Sequence, residues 1–382
     1  MGDSIDDWDL SAVVCFNMDA FTRLDSLATS VATANDGKGQ PLLQVSGLKV
    51  EFKLKGGQTL IAVDGVDLDI RRGEVVGLVG ESGCGKTVFT LCLPRLIERP
   101  GQIVNGSIVW EGKDVLRLSD EEIRHFRGRE ISMIFQNPQS SLNPAHSVGR
   151  QLCWVIGLHR RIPRSAAREE ALELLRHVHM PDPQRAMEAY PHEFSGGMCQ
   201  RIMIAMALAC RPKLLVADEP TASLDVTVQA QIMDLLLEIR EKFSMSILLV
   251  SHDLGVIARM CDRIAVMYLG RIVELAQAAD LYQSPKHPYT QALLSAIPAP
   301  DPSQRKRFME LLGDAPSAID IPPGCRFRNR CSYAEGRCAQ TDPVLLSLDG
   351  RGHSAACVLY QSSTQVNTKS DEKEREQPIA GR

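Results

Sequence analysis

Hydrophobic positions repeat with a period of two from Leu42 onward. Leu43, Val45, Leu48, Val50 and Phe52 predict strands around a Ser46-Gly47 turn, and Val66, Leu68 and Ile70 alternate with Asp67 and Asp69 as a half-exposed strand. Val75-Val76-Gly77-Leu78-Val79 is apolar throughout, as a buried parallel strand requires. Ile103 to Trp110 and Ile131 to Phe135 predict further strands. The period then changes. Over residues 139–194 Ala171, Leu174, Leu175 and Val178 form one helical stripe that Ser165 would cap, and Pro181, Pro183 and Pro191 punctuate the rest. Apolar helix Ile202 to Cys210 ends before Pro212, strand Leu214–Asp218 follows, and Val228, Ile232, Leu235 and Ile239 mark another helix. Strand Ile247–Val250 and a hairpin, Ile264–Tyr268 to Ile272–Glu274 about Gly270, complete the pattern. Strands alternating with helices predict an α/β fold with a parallel sheet. Residues 1–40 show no sustained periodicity and read as a mobile extension, with a short helix near Met18–Leu27 as one option. Beyond Tyr360 the polar, charged tail over 361–382 reads as disordered.

The chemistry centres on Gly80-Glu81-Ser82-Gly83-Cys84-Gly85-Lys86-Thr87, which fits Gly, four residues, Gly-Lys-Ser/Thr between a strand and a helix. Gly80, Gly83 and Gly85 let the backbone wrap closely, with the N–H groups of the loop, Ser82 and Cys84 included, turned inward. The new helix adds the positive end of its dipole. Lys86 suits the β- and γ-phosphates of a nucleoside triphosphate, and the Thr87 hydroxyl suits Mg²⁺. Cys84, beside Lys86 and a helix start, is expected to have a lowered thiol pKa, or else to be an inert small side chain.

Other candidates stand at strand ends. Asp218 suits Mg²⁺, and Glu219, one residue on, suits the polarisation of a water against the γ-phosphate. Gln136 follows the Ile131–Phe135 strand and either reaches Mg²⁺ and the attacking water or is a solvated loop residue. His252 closes the Ile247–Val250 strand, as a γ-phosphate sensor or as a structural histidine. Phe52 is either an adenine-stacking ring or core. Ser195-Gly196-Gly197, with Gln200 following, opens the Ile202–Cys210 helix as a second anion-ready start. One nucleotide does not need two such starts, so Ser195 is expected to serve the nucleotide of a second subunit. Asp225, after Ser223, reads as a helix cap.

In this order the motifs resemble the ATP-binding subunit of an ABC transporter over about residues 42–290. Gly80–Thr87 is similar to its Walker A motif, Gln136 to the Q-loop, Ser195–Gln200 to the signature, Leu214–Asp218 to Walker B and Ser223–Asp225 to the D-loop. Glu219 then resembles the catalytic base and His252 the switch histidine. Phe194 and Met198 depart from the commonest signature and resemble the oligopeptide/dipeptide branch. So do Gln136-Asn137-Pro138, Ser141-Leu142-Asn143-Pro144, Tyr190-Pro191-His192-Glu193 and His287-Pro288-Tyr289-Thr290. The resemblance implies a P-loop NTPase with a RecA-like core, an antiparallel β subdomain, an α-helical insert and a small C-terminal extension containing cysteines. It assigns 41–291 to the ATPase domain, with the insert at about 139–194, and 292–360 to the extension. It also implies import of peptides, with nickel and glutathione importers as near relatives. The partners implied are two transmembrane permease subunits, a second related ATPase in a heterodimer (or a homodimer), and an extracytoplasmic solute-binding protein. The implied location is peripheral, on the cytoplasmic face of a bacterial inner membrane.

Composition changes the picture in two places. A net charge of −4 and the absence of a basic patch argue against nucleic acid, and so against a soluble ABC ATPase acting on DNA or ribosomes. The longest apolar run, Ile202 to Cys210, is too short to span a bilayer, and the acidic N-terminus lacks a secretory signal. Of the eleven cysteines, Cys325, Cys331, Cys338 and Cys357 cluster, separated by five, six and eighteen residues, with Arg326, Arg328, Arg330 and Arg337 among them. Four thiolates so placed can enclose a [4Fe–4S] cluster or a tetrahedral Zn²⁺, or remain plain thiols. Some members of the peptide-importer branch carry an iron–sulfur cluster.

Overall fold

A computed structural model describes residues 41–160, 162–222, 224–297, 309, 311, 313–350 and 352–361. The expected extension over 1–40 with its short helix, Ser223, and the tail from 362 lie outside them. The strands in chain order are β1 (Leu43–Lys53), β2 (Thr59–Ile70), β3 (Val75–Val79), β4 (Gly101–Trp110), β5 (Lys113–Asp114), β6 (Ile131–Ile134), β7 (Leu214–Asp218), β8 (Ser246–Ser251), β9 (Arg263–Tyr268), β10 (Arg271–Gln277), β11 (Leu346–Ser347) and β12 (Ser354–Ala355). The helices are α1 (Lys86–Cys92), α2 (Asp120–Arg129), α3 (Pro138–Ser141), α4 (Val148–Arg160), α5 (Arg164–His177), α6 (Pro183–Glu188), α7 (Gly196–Leu208), α8 (Val226–Phe243), α9 (Leu254–Met260), α10 (Ala278–Gln283) and α11 (Pro288–Ser295).

Two sheets form. The antiparallel one has the order β2-β1-β4-β5, and the larger one β11-β12-β10-β9-β3-β8-β7-β6. Within the larger sheet β9, β3, β8, β7 and β6 run parallel. Their apolar runs follow from burial on both faces. Val75 and Val79 of β3, Ile247 and Leu249 of β8 and Leu215 and Ala217 of β7 enter one core, shared with α4, α5, α7 and α8. The alternate residues Val76, Leu78, Leu248, Val250, Leu214 and Val216 enter the other, against α1 and the antiparallel sheet. Period-two geometry thus divides one set of strands between two cores.

The helical insert is α3 to α6, returning through a turn at Pro191–Glu193 to α7. Helix α5 starts at Arg164, not after a Ser165 cap. Pro163 stands at the cap position with φ −56°, and its carbonyl accepts from Ala167 N–H at 3.0 Å, so the helix starts without a side-chain cap. The Ser46-Gly47 turn is a bulge instead. The pairing of β1 with β2 skips from Val45↔Leu68 to Leu48↔Val66, and Gly47 N–H donates to Asp67 at 2.7 Å.

The C-terminal segment does not fold apart from the rest. Strand β12 pairs with β10, Glu274 opposite Ala355, so the β9–β10 hairpin does not close the sheet as expected. Cys325, Phe327, Cys338 and Val358 lie in the same core as α7 and α8. The join is made by Glu274, which is fully buried. Its carboxylate accepts from Lys286 N–H at 2.7 Å, His287 N–H at 2.8 Å and His353 Nε2 at 2.7 Å.

Glu274→Ala would orphan three buried donors, each costing about 1–3 kcal/mol. The expected loss is on the order of 3 kcal/mol or more, read as a lower urea midpoint, with Glu274→Gln intermediate. An unchanged midpoint would detach the extension from the core energetically.

Candidate functional site

Parallel register brings the strand ends to one edge. Val79 of β3 stands opposite Ser251 of β8, and Val250 of β8 opposite Asp218 of β7. The chain leaves β3 into the Gly80–Thr87 loop. Gly85 has φ +107°, and a Cβ there would sit 2.2 Å from the Ala62 carbonyl oxygen, so only glycine fits. Lys86 is buried, and its Nζ donates to the carbonyls of Gly80 at 2.8 Å and Glu81 at 3.0 Å. Ser82, Gly83 and Thr87 face outward. The loop is therefore a backbone ring around one ammonium group, open at the start of α1.

Asp218 is buried beside this ring. Burial lifts its carboxyl above the usual carboxylate range and Glu219 adds to this, while a hydrogen bond from the Thr87 hydroxyl and the charge of Lys86 pull it down. Its Oδ1 has no hydrogen-bond partner among the described residues. A buried carboxylate oxygen with no donor, next to a hydroxyl, is the ligand pair that Mg²⁺ accompanying a nucleotide takes up, so the residues present fit that ion. Elsewhere among the described residues, no group of three or more His, Cys, Asp or Glu side chains could hold a metal ion.

Glu219 stands in the left-handed region at φ +47°, an unfavoured conformation for a side-chain-bearing residue. Its N–H is held by the Val250 carbonyl at 3.0 Å. Its carboxylate accepts from Gln136 Nε2 at 3.0 Å and lies 3.4 Å from His252 Nδ1. Gln136 and His252, from two different loops, thus converge on one carboxylate. Gln136 is an exposed loop residue, and its amide is nonetheless turned onto Glu219. Asp225 caps α8, accepting from the N–H groups of Thr227 at 3.1 Å and Val228 at 3.0 Å.

The other candidates lie apart from this cluster or deeper in the fold. Ser195 caps α7 through Met198 N–H at 3.4 Å. A Cβ on Gly197 would come within 2.6 Å of Val228, so α7 and α8 approach closely at that glycine. Gln200 does not share the exposed helix end. It is 1% exposed, with neither amide atom hydrogen-bonded among the described residues. Phe52 is half-buried, packed against the core of the antiparallel sheet beside Gly101, with part of its ring left open to solvent. The expectation of an activated Cys84 is overturned. Burial raises its thiol pKa and outweighs Lys86, whose Nζ is 3.9 Å from the sulfur. Burial likewise pushes Cys325 up to about 11, and Cys338, Cys357 and Cys331 are near enough that each thiolate would repel it.

Sequence reasoning missed three groups that touch the loop. Tyr289 accepts from Glu81 N–H at 2.9 Å, Gly270 N–H donates to the Cys84 carbonyl at 2.8 Å, and Arg330 forks onto the Glu81 carboxylate at 2.7 and 3.0 Å. Tyr289 sat inside a quoted motif and Arg330 among the cysteines, but no local signal ties either to the loop.

The family described as "ABC transporter" matches residues 63–222, and "Oligopeptide/dipeptide transporter, C-terminal region" matches residues 273–338. A probable peptide ABC transporter ATP-binding protein of Sinorhizobium fredii is 45% identical over 331 residues, 86% of this chain and 98% of the relative. The dipeptide transport ATP-binding protein DppD of Escherichia coli is 46% identical over 311 residues, 81% of this chain and 94% of the relative. The oligopeptide transport ATP-binding protein AppD of Bacillus subtilis is 44% identical over 321 residues, 84% of this chain and 97% of the relative. Among solved structures, the dimeric ABC transporter cassette MJ0796 is similar at TM-score 0.56 and 28% identity, over 62% of this chain and 98% of that one. CbiO1 of Clostridium perfringens gives TM-score 0.56 at 25% identity, over 64% of this chain and 92% of that one.

The raised thiol pKa generates a test. In the folded protein at neutral pH, Cys84 stays protonated and alkylates slowly, and labelling accelerates on unfolding or as pH climbs past the ordinary thiol range. Mass spectrometry of the loop peptide after brief iodoacetamide exposure reads this. Rapid labelling at neutral pH would mean that burial does not control the thiol.

Proposed function

The chain belongs to the ABC transporter ATP-binding subunits of the oligopeptide/dipeptide type, and on that premise we propose that its ATP hydrolysis energises the import of peptides. The observation that carries this is the gathering of Lys86, Asp218, Glu219, Gln136 and His252 at one sheet edge. Support for peptide as cargo is the 44–46% identity to the named transport proteins, which extends through the C-terminal segment. Nickel or glutathione-like solutes are the alternative cargo.

The residues divide the labour. The loop N–H groups and Lys86 bind the ATP phosphates, which replace the carbonyls that Lys86 now holds. Thr87 and Asp218 would hold Mg²⁺, which neutralises phosphate charge as it develops. Glu219 takes up the proton of the attacking water, with Gln136 and His252 fixing its carboxylate. The exposed Ser195 and the half-buried Gly196 and Gly197 form a helix start suited to a nucleotide held by another ATPase subunit. No described helix is long and apolar enough to cross a membrane. We assign the crossing to two permease subunits, the second site to a related ATPase, and cargo capture to an extracytoplasmic solute-binding protein. This chain then sits peripherally on the cytoplasmic face of the membrane.

For the cysteines we propose a [4Fe–4S] cluster, with zinc as the alternative. The support is that the four thiols lie close enough to repel one another as thiolates. As they stand, the described residues form no ready ligand set, so a metal requires the thiols to rearrange.

Glu219→Gln is expected to bind ATP and abolish steady-state hydrolysis. Recovered with ATP from its own cell's membranes, it should bring permeases, a second ATPase and a solute-binding protein, while ribosomal or DNA-processing proteins would defeat the importer reading. Protein purified without oxygen should carry about four irons per chain. Folded, iron-free protein would remove the cluster.

A further inference from the structure

We infer that Arg330 is a positioning residue for ATP binding, through which the cysteine-bearing segment grips the Gly80–Thr87 loop from behind. Arg330 ends the short turn Arg328–Arg330, immediately before Cys331. Its side chain is 7% exposed, and its Nη1 and Nη2 donate to the two oxygens of Glu81 at 2.7 and 3.0 Å. Glu81 is the second residue of the phosphate loop, and its own carbonyl holds Lys86 Nζ at 3.0 Å. One residue therefore joins the C-terminal guanidinium to the phosphate-binding ammonium.

The grip is rigid at both ends. The Arg330 guanidinium carbon lies 6.0 Å from the centre of the Tyr268 ring, which packs in turn on Tyr289 and Phe327 at 4.7 and 5.3 Å between ring centres. Tyr289 takes the Glu81 N–H, so both the backbone and the side chain of Glu81 are fixed from one aromatic cluster. Phe327 lies in the same turn as Arg330, whose N–H donates to the Phe327 carbonyl at 2.9 Å. A forked arginine–carboxylate pair constrains orientation as well as distance. The peptide between Gly80 and Ser82 is consequently held in one attitude before any nucleotide arrives, so less of the loop has to be ordered at the moment of binding. The role is to set the affinity for the nucleotide and not the rate of its cleavage, because the guanidinium acts on Glu81 and the Tyr268 ring, neither of which belongs to the Glu219 cluster.

This inference rests on Gly80–Thr87 being the ATP site, so the experiment separates the two. ATP affinity is measured with a fluorescent ATP analogue on the full-length chain, and kcat and KM are measured for hydrolysis. Lys86→Ala should abolish binding. If it binds as the unaltered protein does, the ATP-site reading falls and the inference with it. With that control in place, Arg330→Met and Glu81→Gln should each weaken binding and raise KM by about tenfold, with kcat changed less than about twofold. The double variant should be no worse than either single one, and Arg330→Lys should recover part of the affinity. Unchanged affinity in both single variants, or effects that add in full, would overturn the inference. Should Arg330→Met fail to fold, Glu81→Gln at the more exposed partner carries the same comparison.

Discussion

The site depends on one constraint, the parallel hydrogen-bonded register of β3, β8 and β7. The ladder pairs Val79 with Ser251 and Val250 with Asp218, so three loops leave the sheet at a common height. A one-residue slip would send every apolar side chain to the opposite core and separate Lys86 from Asp218. The two cores guard against that slip, because alternate residues of the same strands fill each of them. The packing that stabilises the fold is also what sets the spacing of the reactive groups.

Two neighbouring carboxylates then acquire different roles from their surroundings. Asp218 completes its strand and is buried, so its charge is costly unless a cation answers it. Glu219 is one residue further, where the chain turns through a left-handed conformation and releases its side chain toward Gln136 and His252. The unfavoured backbone, held by the Val250 carbonyl on the Glu219 N–H, changes where the second of two consecutive acids points. Alternation would aim them apart, and the turn at Glu219 brings the second back.

How much of this was legible depended on distance along the chain. The phosphate loop, the acid pair and the Asp225 cap are local patterns with local causes, and the sequence reading placed them. The convergence of Gln136 and His252 on Glu219 needed the sheet register, and the sequence carried only their strand-end positions. For Cys84 the sequence left an activated thiol and an inert side chain open, because proximity to Lys86 is a sequence fact whereas burial is a product of packing, and burial favours the inert one. Ser46-Gly47 looked like a turn because a bulge and a turn share residue types and differ only in pairing. Arg330 carried no signal toward its partner, since it lies 249 residues from Glu81 among other arginines.

The C-terminal segment owes its reach to the tip of the β9–β10 hairpin. Leu269 and Gly270 both have positive φ, and that tight reversal points backbone groups in two directions. Gly270 N–H holds the Cys84 carbonyl of the phosphate loop, while the Leu269 carbonyl accepts from Arg326, next to Cys325, at 2.5 Å. Asp64 of β2 binds Arg271 at 2.8 Å and also Arg326, and Arg271 reaches Asp342 at 2.5 Å. The hairpin tip is therefore pinned between the loop and the cysteine segment by charged groups, of which Arg326 and Asp64 are largely shielded from solvent and Asp342 is exposed. A rearrangement of the thiols would move Arg326 and Arg330 together, and both lead to the same loop. The segment past α11 is thus better described as a support behind the Gly80–Thr87 loop than as an appendage.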